Sequence, residues 1–170
     1  YAEIRFLNDF KFTVNGAVGT SSRLGHSASI YYPEKTEVGS STKTVSFETT
    51  WTFNQLLSYT KNFGNHHVDV LLGHESYDYE YNYLKGSMQN QTIHNGNFEF
   101  SNYSVPDEQD SYTNTYKTEG FLARANYDYN SRYFLSASVR RDGSSRFYKD
   151  SRWGTFFSVG AGWRIDEERF

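Results

Sequence analysis

Between Glu119 and Ile165 apolar and polar residues alternate one for one through three consecutive runs, and that alternation limits the chain more than any other feature. In the first run Phe121, Ala123, Ala125, Tyr127 and Tyr129 share one parity, with Arg124, Asn126 and Asp128 on the other. In the second, Tyr133, Leu135, Ala137 and Val139 oppose Ser136, Ser138, Arg140 and Asp142. In the third, Trp153, Phe157, Val159, Ala161, Trp163 and Ile165 oppose Gly154, Ser158, Gly160, Gly162 and Arg164. A period of two sustained over this length means β-strands with one apolar and one polar face. The aromatic residues sit toward the ends of the apolar face and small aliphatics toward its middle. Tyr and Trp favour the two interfaces of a bilayer, so this order predicts strands that cross a membrane as part of a barrel.

The rest of the chain extends the pattern. Strands are expected at Tyr1–Phe6, Phe10–Thr20, Thr44–Thr60 and His66–Tyr83. Thr44–Thr60 alternates most regularly, with Val45, Phe47, Trp51, Phe53, Leu57 and Tyr59 opposite Ser46, Glu48, Thr50, Thr52, Asn54 and Ser58. At about 3.3 Å per residue it is longer than a bilayer core requires, so it should project beyond the membrane. In His66–Tyr83 the apolar parity changes from Val68, Val70 and Leu72 to Tyr77, Tyr79, Tyr81 and Tyr83, which predicts a bulge near Gly73 to Ser76. Short turns fall at Leu7-Asn8-Asp9, Lys61–Asn65 and Asn130-Ser131-Arg132. Long polar loops fall at Ser21–Lys43, with Gly25, Pro33 and Gly39, and at Leu84–Thr113, with an intermediate break at Gly143–Arg152. Short connections at one end and long ones at the other are the arrangement of outer-membrane barrels. The fold class is therefore all-β, an antiparallel up-and-down meander of about seven to eight long strands.

Composition supports a wall with lipid on one side and water on the other. Of 170 residues 19% are aromatic and only 36% hydrophobic, so Tyr and Phe supply the apolar surface where a soluble sandwich would use Val, Ile and Leu. No run is long and apolar enough for a transmembrane helix. A net charge of −3 without a basic cluster argues against nucleic acid as a partner. The absence of cysteine removes thiolate and disulfide chemistry. No signal peptide is visible, and Tyr1 falls inside a strand, so the chain reads as a segment of a longer protein.

Catalytic and metal signals are weak. His66, His67, Asp69, His74 and Glu75 are a possible His/carboxylate set, but they lack tight ligand spacing, and a polar patch near a turn is the preferred account. Asp107, Glu108 and Asp110 lack the spacing of a calcium loop, and no G-x-S-x-G elbow occurs. No metal, cofactor or enzyme activity is predicted. The candidates that remain are polar. Arg124, Asp128, Arg140, Asp142, Arg146 and Arg164 are expected to form a lumen and rim network, since charges in a barrel interior need partners. Tyr31, Tyr32, Tyr103 and Tyr112 are expected in loops, where their rings could stack on sugar or peptide side chains.

Arg140-Arg141-Asp142-Gly143-Ser144-Ser145-Arg146-Phe147, then Trp153-Gly154 and Gly162-Trp163-Arg164, resembles the barrel of SusC-type (RagA-like) TonB-dependent outer-membrane transporters. Leu56-Leu57-Ser58-Tyr59, Phe63-Gly64-Asn65-His66 and Leu71-Leu72-Gly73-His74-Glu75 are similar to an earlier hairpin of that family. Phe157 departs from the family pattern, which usually has proline there. The resemblance implies that residues 1–170 are a single segment from the C-terminal side of the receptor barrel, without plug or N-terminal domains. It also implies the outer membrane of a Gram-negative bacterium and a glycan-oligomer or peptide cargo. The implied partners are a SusD-like surface lipoprotein, TonB acting through parts not in this chain, and outer-membrane lipid. The alternative is a small outer-membrane or adhesive β-barrel with binding loops and no transport role.

Overall fold

The computed structural model describes residues 1–32, 34 and 38–168; Pro33, counted above in a loop, lies outside the described residues. The chain is a single seven-stranded sheet in the order β1-β2-β3-β4-β5-β6-β7. The strands are β1 (Ala2–Phe6), β2 (Phe10–Ser29), β3 (Ser40–Phe63), β4 (His66–Gln91), β5 (Tyr103–Tyr129), β6 (Tyr133–Ser144) and β7 (Trp153–Trp163). Every strand neighbours the next in sequence, and the sheet is open, with β1 and β7 at its edges. This is the up-and-down meander that the alternation predicts, and the open sheet does not suit a small closed barrel.

The expected elements are all present, but β2, β3, β4 and β5 are longer than expected, with β3 running from Ser40 to Phe63. β2 continues to Ser29, β4 to Gln91, and β5 begins at Tyr103, so much of the two predicted loops is strand. These extensions carry polar residues on both faces, so they show no apolar period, and the backbone ladder and cross-strand polar contacts such as His26–Ser41, Thr42–Ser87 and Asn90–Ser104 hold them. The turns are correspondingly tighter. Gly64 takes φ +62° between β3 and β4, and Lys61 to Phe63 belong to β3. Leu7 and Asn8 (φ 51° and 59°) and Asn130 and Ser131 (φ 55° and 53°) turn the chain at the other two short connections. The Asp128 carboxylate accepts the Ser131 N–H at 2.7 Å, which closes the last of them.

No bulge divides β4. Its even residues meet odd residues of β5 on one face: His74 stacks on Phe121, and Asp78 pairs with Lys117. Its odd residues meet even ones on the other: a Cβ on Gly73 would lie 2.8 Å from Leu122, and Tyr77 lies against Tyr116. The alternation is unbroken from Gly73 to Asp78, which corrects the predicted slip. The tyrosine series therefore occupies the polar face of its strand, while Val68, Val70 and Leu72 occupy the apolar one.

The described chain divides into two compact units. Unit 1 comprises Tyr1–Val18, Thr50–Asp78 and Tyr116–Phe170; unit 2 comprises Gly19–Thr49 and Tyr79–Thr115. In unit 1 the register rows Ala125↔Ala137↔Val159 and Tyr127↔Leu135↔Ala161 run across β5, β6 and β7. The apolar parities of the three runs thus share one face, as the sequence requires. That face is not covered: Leu135 is 51% and Val159 75% exposed. Among the described residues Tyr103, in unit 2, is the single buried large apolar side chain. A soluble domain of this length buries many such side chains. Here no second layer covers the sheet.

Candidate membrane face and rim site

Two belts of aromatic rings bound the apolar face of unit 1. At the short-turn end Phe6 stacks on Phe10 at 5.4 Å and Phe10 meets Tyr59 at 4.7 Å. Phe63, His66, Tyr129, Tyr133 and Trp163 continue the belt with centroid separations of 4.9 to 6.4 Å. At the other end His74, Phe121 and Trp153 follow one another at 4.8 and 6.1 Å, and the Arg141 guanidinium lies 5.2 Å over the Trp153 ring. Between the belts stand Val70, Ala123, Ala125, Ala137, Val139 and Val159. β7 spans both belts with the 11 residues from Trp153 to Trp163. At roughly 3.4 Å per residue that is about 34 Å along the strand, or about 25 Å of height at a tilt of about 40°. The value matches the apolar band of an outer-membrane barrel, about 25 Å tall between its aromatic girdles.

On the polar face the sequence candidates separate. Arg140 and Asp142 come together: the Arg140 Nε donates to both Asp142 carboxylate oxygens at 2.8 and 2.9 Å. Its Nη2 donates to the Glu75 carboxylate at 2.6 Å, so one guanidinium ties β4 to β6. Gly120 makes room for this fork, because a Cβ there would sit 2.7 Å from the Asp142 Oδ1 and 3.1 Å from the Arg140 Nη2. The fork lines a recess of about 640 Å³ with Thr52, Asn54, Phe147 and Phe156.

The other candidates lie elsewhere. Arg146 places its guanidinium 4.1 Å over the Tyr116 ring. Asp128 caps its turn, and Arg164 pairs with Asp166 and Glu167 next to it in sequence, at the far end of the strands from Asp142. Arg124 has no carboxylate within ion-pair distance among the described residues. The expected network of six is thus a clamp of two with Glu75, which sequence reasoning had weighed only as a metal ligand. The signal available was parity, since an unbroken β4 puts Glu75 on the Arg140 face.

The histidine set disperses in the same way. His66 bonds the Tyr127 hydroxyl at 2.7 Å, His67 bonds Asn62, and His74 lies 3.1 Å from Glu119, while Asp69 accepts from Thr60. His67 follows the odd parity of β4 and His74 the even.

The expected loop aromatics, all in unit 2, divide as well. Tyr103 is buried at the start of β5, its hydroxyl 3.4 Å from the Ser40 carbonyl, so the packing beneath the 92–102 connection takes the ring that was expected to meet ligand. Tyr112 is a strand residue, 50% exposed, stacked on Tyr83 at 5.0 Å and meeting Tyr81 at 5.9 Å. Tyr31 stacks flat on His94 at 4.2 Å, and Tyr32 is exposed in the β2–β3 connection. Tyr79 donates its hydroxyl to Glu48 at 3.3 Å. Tyr81 and Tyr83 therefore form a ring surface with Tyr112 that loop-based reasoning missed.

No family model matches the chain. It is 32% identical over 122 residues to the TonB-dependent receptor SusC of Bacteroides thetaiotaomicron, covering 69% of this chain and 11% of that protein. It is 48% identical over 56 residues to the TonB-dependent receptor P39 of Formosa agariphila, covering 33% of this chain and 5% of that protein. A solved structure of the RagAB peptide transporter superposes with a TM-score of 0.88 at 21% identity, over 96% of this chain and 19% of the transporter chain. The RagAB importer in its 'open-open' state superposes at 0.86 and 20% identity, over 98% of this chain and 19% of that one. The chain thus spans about a tenth of the SusC receptor and a fifth of the transporter chain. Strand order, an uncovered apolar face and these likenesses agree: the chain is β-barrel wall of the SusC-type, RagA-like TonB-dependent receptor family.

Proposed function

We propose that the chain is one segment of the wall of a TonB-dependent importer in the outer membrane of a Gram-negative bacterium. Unit 1 crosses the bilayer with its apolar face in lipid, and its polar face lines a wet interior. Unit 2, with polar residues on both faces of its strands, stands in water. The observation that carries this reading is the exposed aliphatic band between two aromatic belts, because a water-soluble domain would have to cover it.

The cargo is a glycan oligomer or a peptide, the coupling protein is TonB, and the surface partner is a SusD-like lipoprotein. These assignments rest on the naming of the relatives as TonB-dependent receptors and of the structural neighbour as a peptide transporter. The segment itself performs no catalysis. Its work is to hold strand register, through clamps such as Glu75–Arg140–Asp142, and to present tyrosines on its polar face.

The test is site-directed spin labelling of the full-length receptor in liposomes. Labels at Leu135 and Val159 should be relaxed by oxygen and shielded from an aqueous nickel chelate, and labels at Ser136 and Ser158 should show the reverse. Nickel access at Leu135 and Val159 would refute the wall assignment. Growth of a receptor deletion strain on single glycans or peptides would then separate the two cargo classes.

A further inference from the structure

We propose that the recess around the Glu75–Arg140–Asp142 clamp is a subsite for one sugar ring of a neutral glycan, with Phe156 as the stacking platform and Arg140, Asp142 and Asn54 as its polar border. The inference rests on the wall assignment above and chooses between its two cargo classes. Its first ground is the position of Phe156. The pairs Arg140↔Phe156 and Ser138↔Ser158 put this ring on the polar face. There it is 62% exposed, more than Leu135 on the apolar face. A tyrosine on a wet face can bond through its hydroxyl, as Tyr79 does with Glu48, but a phenyl ring has no polar atom to offer. An open phenyl ring on the wet side is stabilised when the apolar face of a ligand displaces its water.

The second ground is what surrounds the ring. Arg140 is its direct cross-strand partner on β6, and Asp142 stands opposite Gly154. The guanidinium turns to Asp142 and Glu75, so it borders the ring without covering it. The ring leans along β7 toward Gly154, where a Cβ would lie 3.2 Å from its outer edge. A further strand paired to β7 would lie in the plane of the sheet and leave the interior side of the ring open. Phe147, 60% exposed, lines the recess from the β6–β7 connection, and Thr52 and Asn54 line it from β3. The volume of about 640 Å³ falls within the range of small-ligand sites, about 300–1,000 Å³.

The third ground is the match of chemistry. A pyranose has C–H groups on its broad faces and hydroxyls around its rim, so it fits one flat apolar surface with donors and acceptors beside it. The fork uses the Nε and Nη2 of Arg140, which leaves the two N–H groups of Nη1 for a sugar oxygen. The carboxylates keep lone pairs for hydroxyl protons, and the Asn54 amide both donates and accepts. Because the protein already holds the fork, these groups are ordered before the ligand arrives. A peptide is read by other means, by adding its main chain to a free strand edge or by pairing with a cluster of one charge. β6 has a neighbour on each side, and the recess carries carboxylates and guanidinium groups together, so its polar border offers neither.

The experiment titrates the full-length receptor in nanodiscs, by calorimetry, with neutral hexaoses of glucose, mannose, galactose and xylose and with blocked pentapeptides rich in leucine or phenylalanine. The expected result is binding of at least one hexaose, weakened about three- to tenfold by Phe156→Ala. Phe156→Leu, which keeps bulk but not the flat ring, should weaken it similarly, and Phe156→Trp should retain it. Asn54→Ala should weaken it about two- to tenfold, and Ser158→Ala, on the same face outside the recess, should leave it unchanged. Heat-modifiable migration confirms that each variant is folded, and the Leu exchange decides if Phe156→Ala is not. Wild-type affinity in the Phe156 variants, or no hexaose bound, would overturn the inference. Pentapeptide binding that depends on Phe156 while no hexaose binds would overturn it in favour of a peptide site. A nitroxide at Ala137 in the same samples keeps the two levels apart. If it is lipid-exposed while no hexaose binds, only the sugar site falls; if it is water-exposed, the wall assignment falls with it.

Discussion

Placing one arginine on either face of β6 tests the membrane assignment quantitatively. Ala137 lies on the row Ala125↔Ala137↔Val159, and Ser136 beside it faces the other way. The rows Tyr133↔Trp163 and Gly143↔Trp153 mark the two belts, so Ala137 stands one residue from the midpoint of β6 between them. At about 3.4 Å per residue and a tilt of about 40°, that is about 3 Å from the bilayer midplane. Arginine at that depth on the lipid face of a barrel costs about 2–4 kcal/mol, falling to about 0–1 near the interfaces. Ala137→Arg should therefore lower the folded-to-unfolded ratio by roughly thirty- to several-hundred-fold. Ser136→Arg, reaching into water, should change it by less than about 1 kcal/mol. Phe121→Arg, level with the upper belt, should fall between the two once the lost ring is allowed for. The assay is reversible folding of the full-length receptor into liposomes, titrated with guanidinium and followed by tryptophan emission and heat-modifiable migration. Equal costs for Ala137→Arg and Ser136→Arg would refute the two-faced wall.

Three further outcomes follow from particular contacts. Gly120→Ala puts a methyl group 2.7 Å from the Asp142 Oδ1, so the Arg140 fork must shift; the cost should be about 1 kcal/mol, because Arg140 and Asp142 are about 40% exposed, and Glu75→Gln should add little to it in a double-mutant cycle. Tyr112→Ala and Tyr83→Ala should couple by about 0.5–1.5 kcal/mol in the same equilibrium assay, since the rings stack at 5.0 Å. Glu168, beyond the end of β7, has its carboxyl held below the ordinary 4.5 by the Tyr133 hydroxyl, with smaller help from the Trp163 indole N–H and the Arg132 charge. Because that value is depressed on folding, the contribution is complete above pH 4.5 and is lost as pH falls through the lowered value. Tyr133→Phe should flatten the stability-versus-pH slope in that acid window, and an unchanged slope would count against the contact.

The sequence made legible those features of the fold that bilayer or turn chemistry dictates. Where a strand must put one face in hydrocarbon, as at Ala123–Tyr129 and Tyr133–Val139, the parity of each face followed from the residues alone. Where both faces meet water, as at Ser21–Ser29 and Leu84–Gln91, strand and loop look alike, because only backbone hydrogen bonds distinguish them and any polar side chain permits those. The tyrosines of β4 misled for a related reason. A run of Tyr at alternate positions looks like an apolar face, but a phenol is equally at home on a wet one, where Tyr79 bonds Glu48. Within the candidate site, Arg140 and Asp142 were visible as neighbours two apart on one strand. Glu75 was not, because its place depends on strand pairing across 65 positions of sequence.

The energetics of such a sheet invert those of a soluble domain. With one large apolar side chain buried among the described residues, tight packing of a core does not hold the strands together. Backbone ladders do, and these gain strength where water is excluded. The exposed aliphatic band is then a requirement for lipid as solvent, not a defect of packing. The charges of the polar face divide by position: Arg140 and Arg164, toward opposite ends of the strands, each have two carboxylates, and Arg124 between them has none among the described residues. Arg141, on the apolar face and level with the upper belt, has an indole in place of a carboxylate.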